Sequence, residues 1–173
     1  MSQIKLSTGK LIEVTDPLRE IHKIDADDVF QCLDKIIRFN GQHPHKISVL
    51  FHSYLTSRLA AHFGENPLIQ LFCLFHDAPE IILSDIPSPV KKALGSEYFN
   101  LEDDWAEGMF SRFVGSQPED YSIIKRYDEM AYQVEVGLWA MASFISTGYI
   151  GFHTPMRPEE ASALYSTLLD ALS

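Results

Sequence analysis

From Asp25 onward, apolar residues recur at helical spacing, in segments that stop at glycine or proline. A chain patterned this way buries its apolar stripes by packing helix on helix. The segment "DADDVFQCLDKIIRF" has an acidic first turn, then Val29, Leu33, Ile36 and Ile37 on one face, with Asn40-Gly41 as its end. A loop "QHPHK" leads to "ISVLFHSYLTSRLAAHF", which Gly64 stops. The next helix opens with Asn66 as N-cap and Pro67 at its first position. "SDIPSPVKKALG" reads as a proline-punctuated loop and a short helix, and "EYFNLEDDWAEGMFSRFVG" as an amphipathic helix. A long helix follows from Pro118, then the loop "STGYIGFHTPMRP" and a closing helix "PEEASALYSTLLDAL". Only "IKLSTGKLIEV" at the front alternates, around Thr8-Gly9, as a short β-hairpin would. The expected fold is all-α, with that hairpin as its one exception.

With 173 residues, 46% of them apolar and 12% aromatic, the chain can bury one substantial core. A single domain over residues 1–173 is expected, with 1–24 as an N-terminal extension or hairpin and 25–173 as the helical core. Cys32 and Cys73 both lie inside apolar helical patterns and read as packing thiols of a reduced protein. No apolar run has the length of a membrane span, and "MSQIKLSTGK" is no secretory leader, so a cytoplasmic location with no membrane partner is expected. The net charge of −10, with no basic run, speaks against polymeric nucleic acid as a partner but leaves room for a small anionic substrate.

The stretch "LFCLFHDAPEI" sets His76, Asp77, Pro79 and Glu80 at the end of a strongly apolar helix. Pro79 cannot donate to the helix ladder and clashes with the carbonyl four residues back, so the helix must bend or end between Phe75 and Ala78. His76 and Glu80 are four apart, Asp77 and Glu80 three, both same-face spacings. His52 and Asp128 sit in two further apolar helices. One histidine in an apolar helix is most simply a hydrogen-bonded core residue. Two imidazoles and two carboxylates in this order, with Glu80 beside them, instead suit a borderline divalent ion such as Zn, Mn, Co, Ni or Fe. Glu80 then has the place of a general base.

"HSY" at 52–54, "HDAPE" at 76–80 and the late Asp128 resemble the HD-domain metal-dependent phosphohydrolases. With "RFNGQ" at 38–42, "DIPSPVKK" at 85–92 and "KRYD" at 125–128, the resemblance runs from Arg38 to Asp128 and is closer to the 5′-deoxynucleotidase branch. Small size and the "STGKLIEV" opening are similar to small phage-encoded dATP triphosphohydrolases, which would place the protein in a host cytoplasm. The resemblance implies an HD-domain helical bundle, with His52, His76, Asp77 and Asp128 as ligands of one four-ligand site for Co, Zn or Mn. It implies Glu80 as the residue that deprotonates or orients water. Arg38, Lys91 and Lys125 would hold phosphate oxygens, Phe39 would stack on the base, Pro89 would wall the pocket, and Asp85 matches an acidic family position. The substrate would be a deoxynucleotide: dATP cut to deoxyadenosine and triphosphate, or alternatively a 5′-monophosphate, with a non-catalytic nucleotide sensor as a distant third. An additional Mg on the substrate phosphates and a homo-oligomer, a dimer or larger ring, go with the same resemblance.

Taken without it, Arg38, Lys91 and Lys125 read as solvated cations and Phe39 as core. His43 and His45 read as exposed loop residues near the substrate mouth, and His62 as a surface or partly buried residue. Trp105 and Trp139 read as packing anchors, and "LEDDWAE" as a wet helix face.

Overall fold

A computed structural model describes residues 2–145 and 157–172; side chains are described as far as Leu138 and again from Arg157. The expected loop at 146–158 and the Trp139 side chain therefore lie outside the described residues, apart from the segment's last two. The chain opens with a hairpin, β1 (Gln3–Lys5) and β2 (Leu11–Glu13), paired antiparallel with Ile4 opposite Ile12. Helices follow as α1 (Pro17–Glu20), α2 (Ala26–Leu33), α3 (Val49–His62), α4 (Pro67–Phe75), α5 (Glu80–Leu83), α6 (Ser88–Leu94), α7 (Ser96–Phe113), α8 (Tyr121–Ile145) and α9 (Pro158–Asp170). The all-α expectation, with a front hairpin, is what the chain adopts.

Local chemistry sets the helix starts. Asp28 accepts the Asp25 N–H at 2.7 Å before α2, Ser48 accepts the Phe51 N–H before α3, and Asn66 accepts the Ile69 N–H before α4. Gly64 and Gly115, at φ 83° each, close α3 and α7 in the left-handed region that a side chain would strain.

The core forms where α4 meets its neighbours. Leu71, Phe72, Cys73, Leu74 and Phe75 are all buried, and α4 packs against α3, α7, α8 and α9. Phe75 stacks on Phe113 with centroids 5.0 Å apart and meets Phe30 at 5.4 Å. The hairpin is tied to this body. Trp105 Nε1 on α7 donates to the Val14 carbonyl at 2.9 Å, and Lys10 pairs with Asp25 and Asp28 at the start of α2.

One helix boundary differs from expectation. α2 ends at Leu33, and Ile36-Ile37 leave the helix for an extended segment. Ile37 bridges Ser48, the Arg38 N–H donates to the Ile47 carbonyl, and the Val49 N–H donates to the Ile36 carbonyl. Two adjacent β-branched residues suit such pairing, and periodicity alone cannot tell a short apolar run in a strand from one in a helix. Asn40-Gly41 is accordingly the turn of this small ribbon, at φ 52° and 70°, and not a helix cap.

Candidate metal centre

Three segments deliver the polar residues to one place. His52 lies in the first turn of α3, where Thr56 Oγ1 donates to its carbonyl at 2.8 Å. His76 caps the C-terminus of α4, and Asp77 follows in the turn that Pro79 imposes before α5. Asp128 projects from α8, which packs on α3 and α4.

One ligand atom from each of His52, His76 and Asp77 lies within 4.8 Å of the others. Asp128 Oδ1 is 2.9 Å from His52 Nε2 and 3.8 Å from His76 Nε2. Asp77 adds Oδ1 at 3.3 Å from His76 Nε2 and Oδ2 at 3.6 Å from His52 Nε2. The two imidazoles are 5.2 Å apart, centroid to centroid. Each has an acceptor at its other nitrogen. His76 Nδ1 donates to the Cys73 carbonyl at 2.8 Å, and His52 Nδ1 to Glu135 Oε1 at 2.9 Å. Both Nε2 atoms thereby face Asp77 and Asp128.

This donor set fits a divalent ion. His76 Nε2 is buried with no hydrogen bond, although two carboxylate oxygens face it. Ligands about 2.1 Å from a common tetrahedral ion stand about 3.4 Å apart, close to the three wider separations. Nδ1 hydrogen-bonded to protein oxygen, with Nε2 toward the ion, is the usual disposition of a metal-binding histidine.

The electrostatics are those of a buried cluster. Burial depresses the His52 imidazole, but its bonds to Asp128 and Glu135 outweigh this and raise its pKa to about 9 on protein groups alone. Burial pushes Asp128 up, yet its bonds to the two histidines hold it well below the usual carboxylate range. Glu80, only 6% exposed, moves the other way: burial first, then the charges of Asp77 and Asp85, hold its carboxyl well above that range. Its Oε2 is buried without a partner. Burial likewise raises Asp85, half-buried between α5 and α6.

The cations and the aromatic residue are distributed unevenly. Arg38, 12% exposed, is drawn in by Asp77 at 3.6 Å and Glu135 at 3.2 Å. Its guanidinium sits 5.6 Å from the centre of the Phe39 ring, which stacks on Tyr132 at 6.1 Å and lies 5.3 Å from His43. Lys91 is half-buried on α6 and bonded to Glu102 of α7, so one residue of the acidic run does more than face water. Lys125 is exposed on α8, one turn before Asp128, and Pro89 is exposed in the first turn of α6.

Two residues escape sequence reasoning. Glu135, fully buried, bonds His52 and Arg38; its signal was a spacing of seven from Asp128 on the same helix. His43, expected to be exposed, is 6% exposed because Nε2 donates to the Glu135 carbonyl at 3.1 Å and Nδ1 accepts the His45 N–H at 3.0 Å.

Among the described residues no helix is long and apolar enough to cross a membrane. Among curated proteins, an uncharacterized protein of Rhodobacter capsulatus is 34% identical over 115 residues, a match covering 63% of this chain and 57% of the relative. The chain thus spans less than two thirds of that relative's length. The HD domain family matches residues 35–137, an interval that holds every one of the clustered histidines and carboxylates above. With that span, the chain belongs to the HD-domain family.

Proposed function

We propose that the protein is a metal-dependent phosphohydrolase of deoxynucleotides, and that it cuts dATP into deoxyadenosine and triphosphate. The observation that carries the reading is the convergence of His52, His76, Asp77 and Asp128, with the unpaired Glu80 oxygen and Arg38 beside them. His52, His76, Asp77 and Asp128 would hold the ion. A bound divalent ion, Co, Zn or Mn, supplies polarisation of a phosphoryl oxygen and acidification of a water.

The remaining work belongs to the chain. A carboxyl held well above the usual range is a stronger base, so Glu80 is fitted to take the proton of the attacking water. Water adds at the α-phosphorus, the bond to the 5′ oxygen breaks, and that oxygen takes up a proton to leave as the 5′-hydroxyl of deoxyadenosine, with triphosphate as the other product. Arg38 can grip phosphate oxygens bidentately, while Lys91 and Lys125 add point charge. Phe39, stacked on Tyr132 and next to Arg38 in sequence, would stack on the base. Asp85 adds negative charge beside Glu80, and Pro89, exposed in the first turn of α6, would wall the pocket. The net charge of −10 supports a small substrate over a polymer, and the family resemblance supports a homo-oligomer.

A second reading, a deoxynucleoside 5′-monophosphatase, has one observation in its favour. Lys91 is already paired with Glu102, and Arg38 with Glu135, which leaves less free positive charge than a triphosphate asks for.

A panel of dNTPs, NTPs and dNMPs with Mn, Co, Zn or Mg, with triphosphate resolved from orthophosphate, tests both. Triphosphate from dATP supports the first reading. Orthophosphate from dNMPs alone moves the function to the second, and no product with any metal refutes both.

A further inference from the structure

Glu135 has no part in the chemistry just described, yet it is the most completely enclosed carboxylate at the site, with 0% exposure. Its two oxygens are divided between two jobs. Oε1 accepts from His52 Nδ1 at 2.9 Å, and Oε2 accepts from Arg38 Nε at 3.2 Å. Arg38 reaches Asp77 Oδ2 at 3.6 Å with its Nη1, and the same oxygen lies 3.6 Å from His52 Nε2. His52, Glu135, Arg38 and Asp77 thus form a closed circuit. The backbone at Glu135 is fixed as well, since its carbonyl accepts from His43 Nε2 at 3.1 Å.

We propose that Glu135 is a positioning residue that ties His52 to Arg38, so that one buried carboxylate sets both the tautomer that leaves His52 Nε2 free for a metal and the pose of the guanidinium that meets phosphate. The proposal rests on the phosphohydrolase reading for the role of Arg38, but its claim on His52 does not need turnover. His52 has an acceptor at each ring nitrogen, Glu135 Oε1 at Nδ1 and Asp128 Oδ1 at Nε2, both at 2.9 Å; with a metal held by Nε2 and Asp128, the one proton of the neutral ring would stay on Nδ1 against Glu135. Arg38 has only donors, so Oε2 can hold its Nε–H while its terminal nitrogens face Asp77 and an incoming phosphate. Carboxylates behind a metal-binding histidine typically carry 10–100-fold of the metal affinity.

Glu135→Gln is the discriminating variant, because an amide of equal size has one acceptor and one donor. With its oxygen toward His52, its NH2 meets the Arg38 Nε–H and loses that tether. With its NH2 toward His52, the imidazole must carry its proton on Nε2, against the metal. Either arrangement gives up one of the two functions.

Zn and Co affinities are measured by chelator competition for the wild type, Glu135→Gln and the exposed control Glu129→Gln. Inorganic phosphate affinity is measured on the metal-loaded wild type, Glu135→Gln, Arg38→Ala and the double variant. The expected result is metal binding weakened about 10–100-fold in Glu135→Gln alone. Phosphate binding is expected to weaken in Arg38→Ala and in Glu135→Gln, and the double variant should be no weaker than Arg38→Ala. Metal affinity within twofold of wild type in folded Glu135→Gln overturns the His52 claim. Phosphate effects that multiply in the double variant, or no effect of Arg38→Ala, overturn the Arg38 claim. Should Glu135→Gln fail to fold, nitrogen NMR of the Zn-loaded wild type decides: His52 protonated at Nδ1 and coordinated through Nε2 is expected, and the reverse refutes the proposal. If the nucleotide panel gave no hydrolysis, the functional reading would fall while these binding and tautomer results stood on their own.

Discussion

Glu80→Gln is expected to stabilise the protein while disabling it. Glu80 is 6% exposed, and its Oε2 has no hydrogen bond. Burial, then Asp77 and Asp85, raise its pKa well above the unfolded value of 4.5. Below that unfolded value both states carry the proton, and the side chain buries no charge. As pH rises above it, the folded state keeps more protons than the unfolded one, so Glu80 lowers stability progressively until its folded pKa is passed. An amide of the same size carries no charge into the site. Each pKa unit between the folded and unfolded states is worth about 1.4 kcal/mol, and for a chain of this size each 1 kcal/mol moves Tm by about 2–4 °C. In chelator-treated protein the variant should therefore melt above wild type at pH 8, by about 3–6 °C for each unit of that difference. The gain should shrink toward zero at pH 4.5. Turnover with metal restored should fall at least about 100-fold, the usual contribution of a general base, with metal content unchanged. Differential scanning calorimetry at the two pH values checks the first part, and elemental analysis with the dATP assay checks the second. A variant no more stable than wild type at pH 8, or a gain that persists undiminished at pH 4.5, would refute the electrostatic reasoning. Near-normal turnover would remove Glu80 from the chemistry.

His76→Ala and Asp77→Ala should each lose bound metal by elemental analysis, and full occupancy in both would dissolve the proposed ligand set. Lys125→Ala, at an exposed position one turn before Asp128, should lower kcat/KM for dATP more than for a deoxynucleoside monophosphate; equal losses would contradict the triphosphate assignment. Burial pushes the Cys73 thiol up to about 12, so a thiol reagent at pH 8 should leave it unlabelled in the native protein and label it on unfolding. Rapid native labelling of Cys73 would contradict its packing in α4.

The helical architecture was legible because most of its determinants are local. Asn66 was in place to cap, Gly64 to stop, and Pro79 to break, and each acts within a few residues of itself. The match of residues 35–137 to the HD domain covers the motifs singled out from Arg38 to Asp128, and not the "STGKLIEV" opening. What local rules could not reach is pairing across the chain. Ile36 and Ile37 satisfy a helical period as well as an extended one, and only the Ser48 bridge chooses between them. Glu135 looks like any charged residue on a long helix until His52 and Arg38, 83 and 97 residues earlier, close around it. His43 reads as a loop histidine because its partner is a backbone carbonyl, which no side-chain pattern announces. Lys91 reads as a free cation until Glu102 is brought against it from the next helix.

Pro79 has a consequence beyond ending α4. In an unbroken α-helix, His76 and Glu80 would sit one above the other at a four-residue spacing. The hydrogen bonds through the break run instead from Ala78 N–H to Phe75, from Glu80 N–H to Asp77, and from Ile82 N–H to Pro79. Each spans three residues, and in such tight turns positions three apart are the ones that eclipse. Glu80 is thereby phased with Asp77 and not with His76. That leaves His76 Nε2 directed at Asp77 and Asp128, while the Glu80 carboxyl lies where the charges of Asp77 and Asp85 both act on it. Backbone strain concentrates nearby. Among the described residues, positive φ at non-glycine positions occurs only at Phe39, Asn40 and Ser84. The first two adjoin Arg38, and the third adjoins Asp85. Such conformations cost of order 1–3 kcal/mol each. They fall on the two segments that set an arginine and a pair of carboxylates around the same histidines, and the rigid, buried α4 supplies the mount that keeps them there.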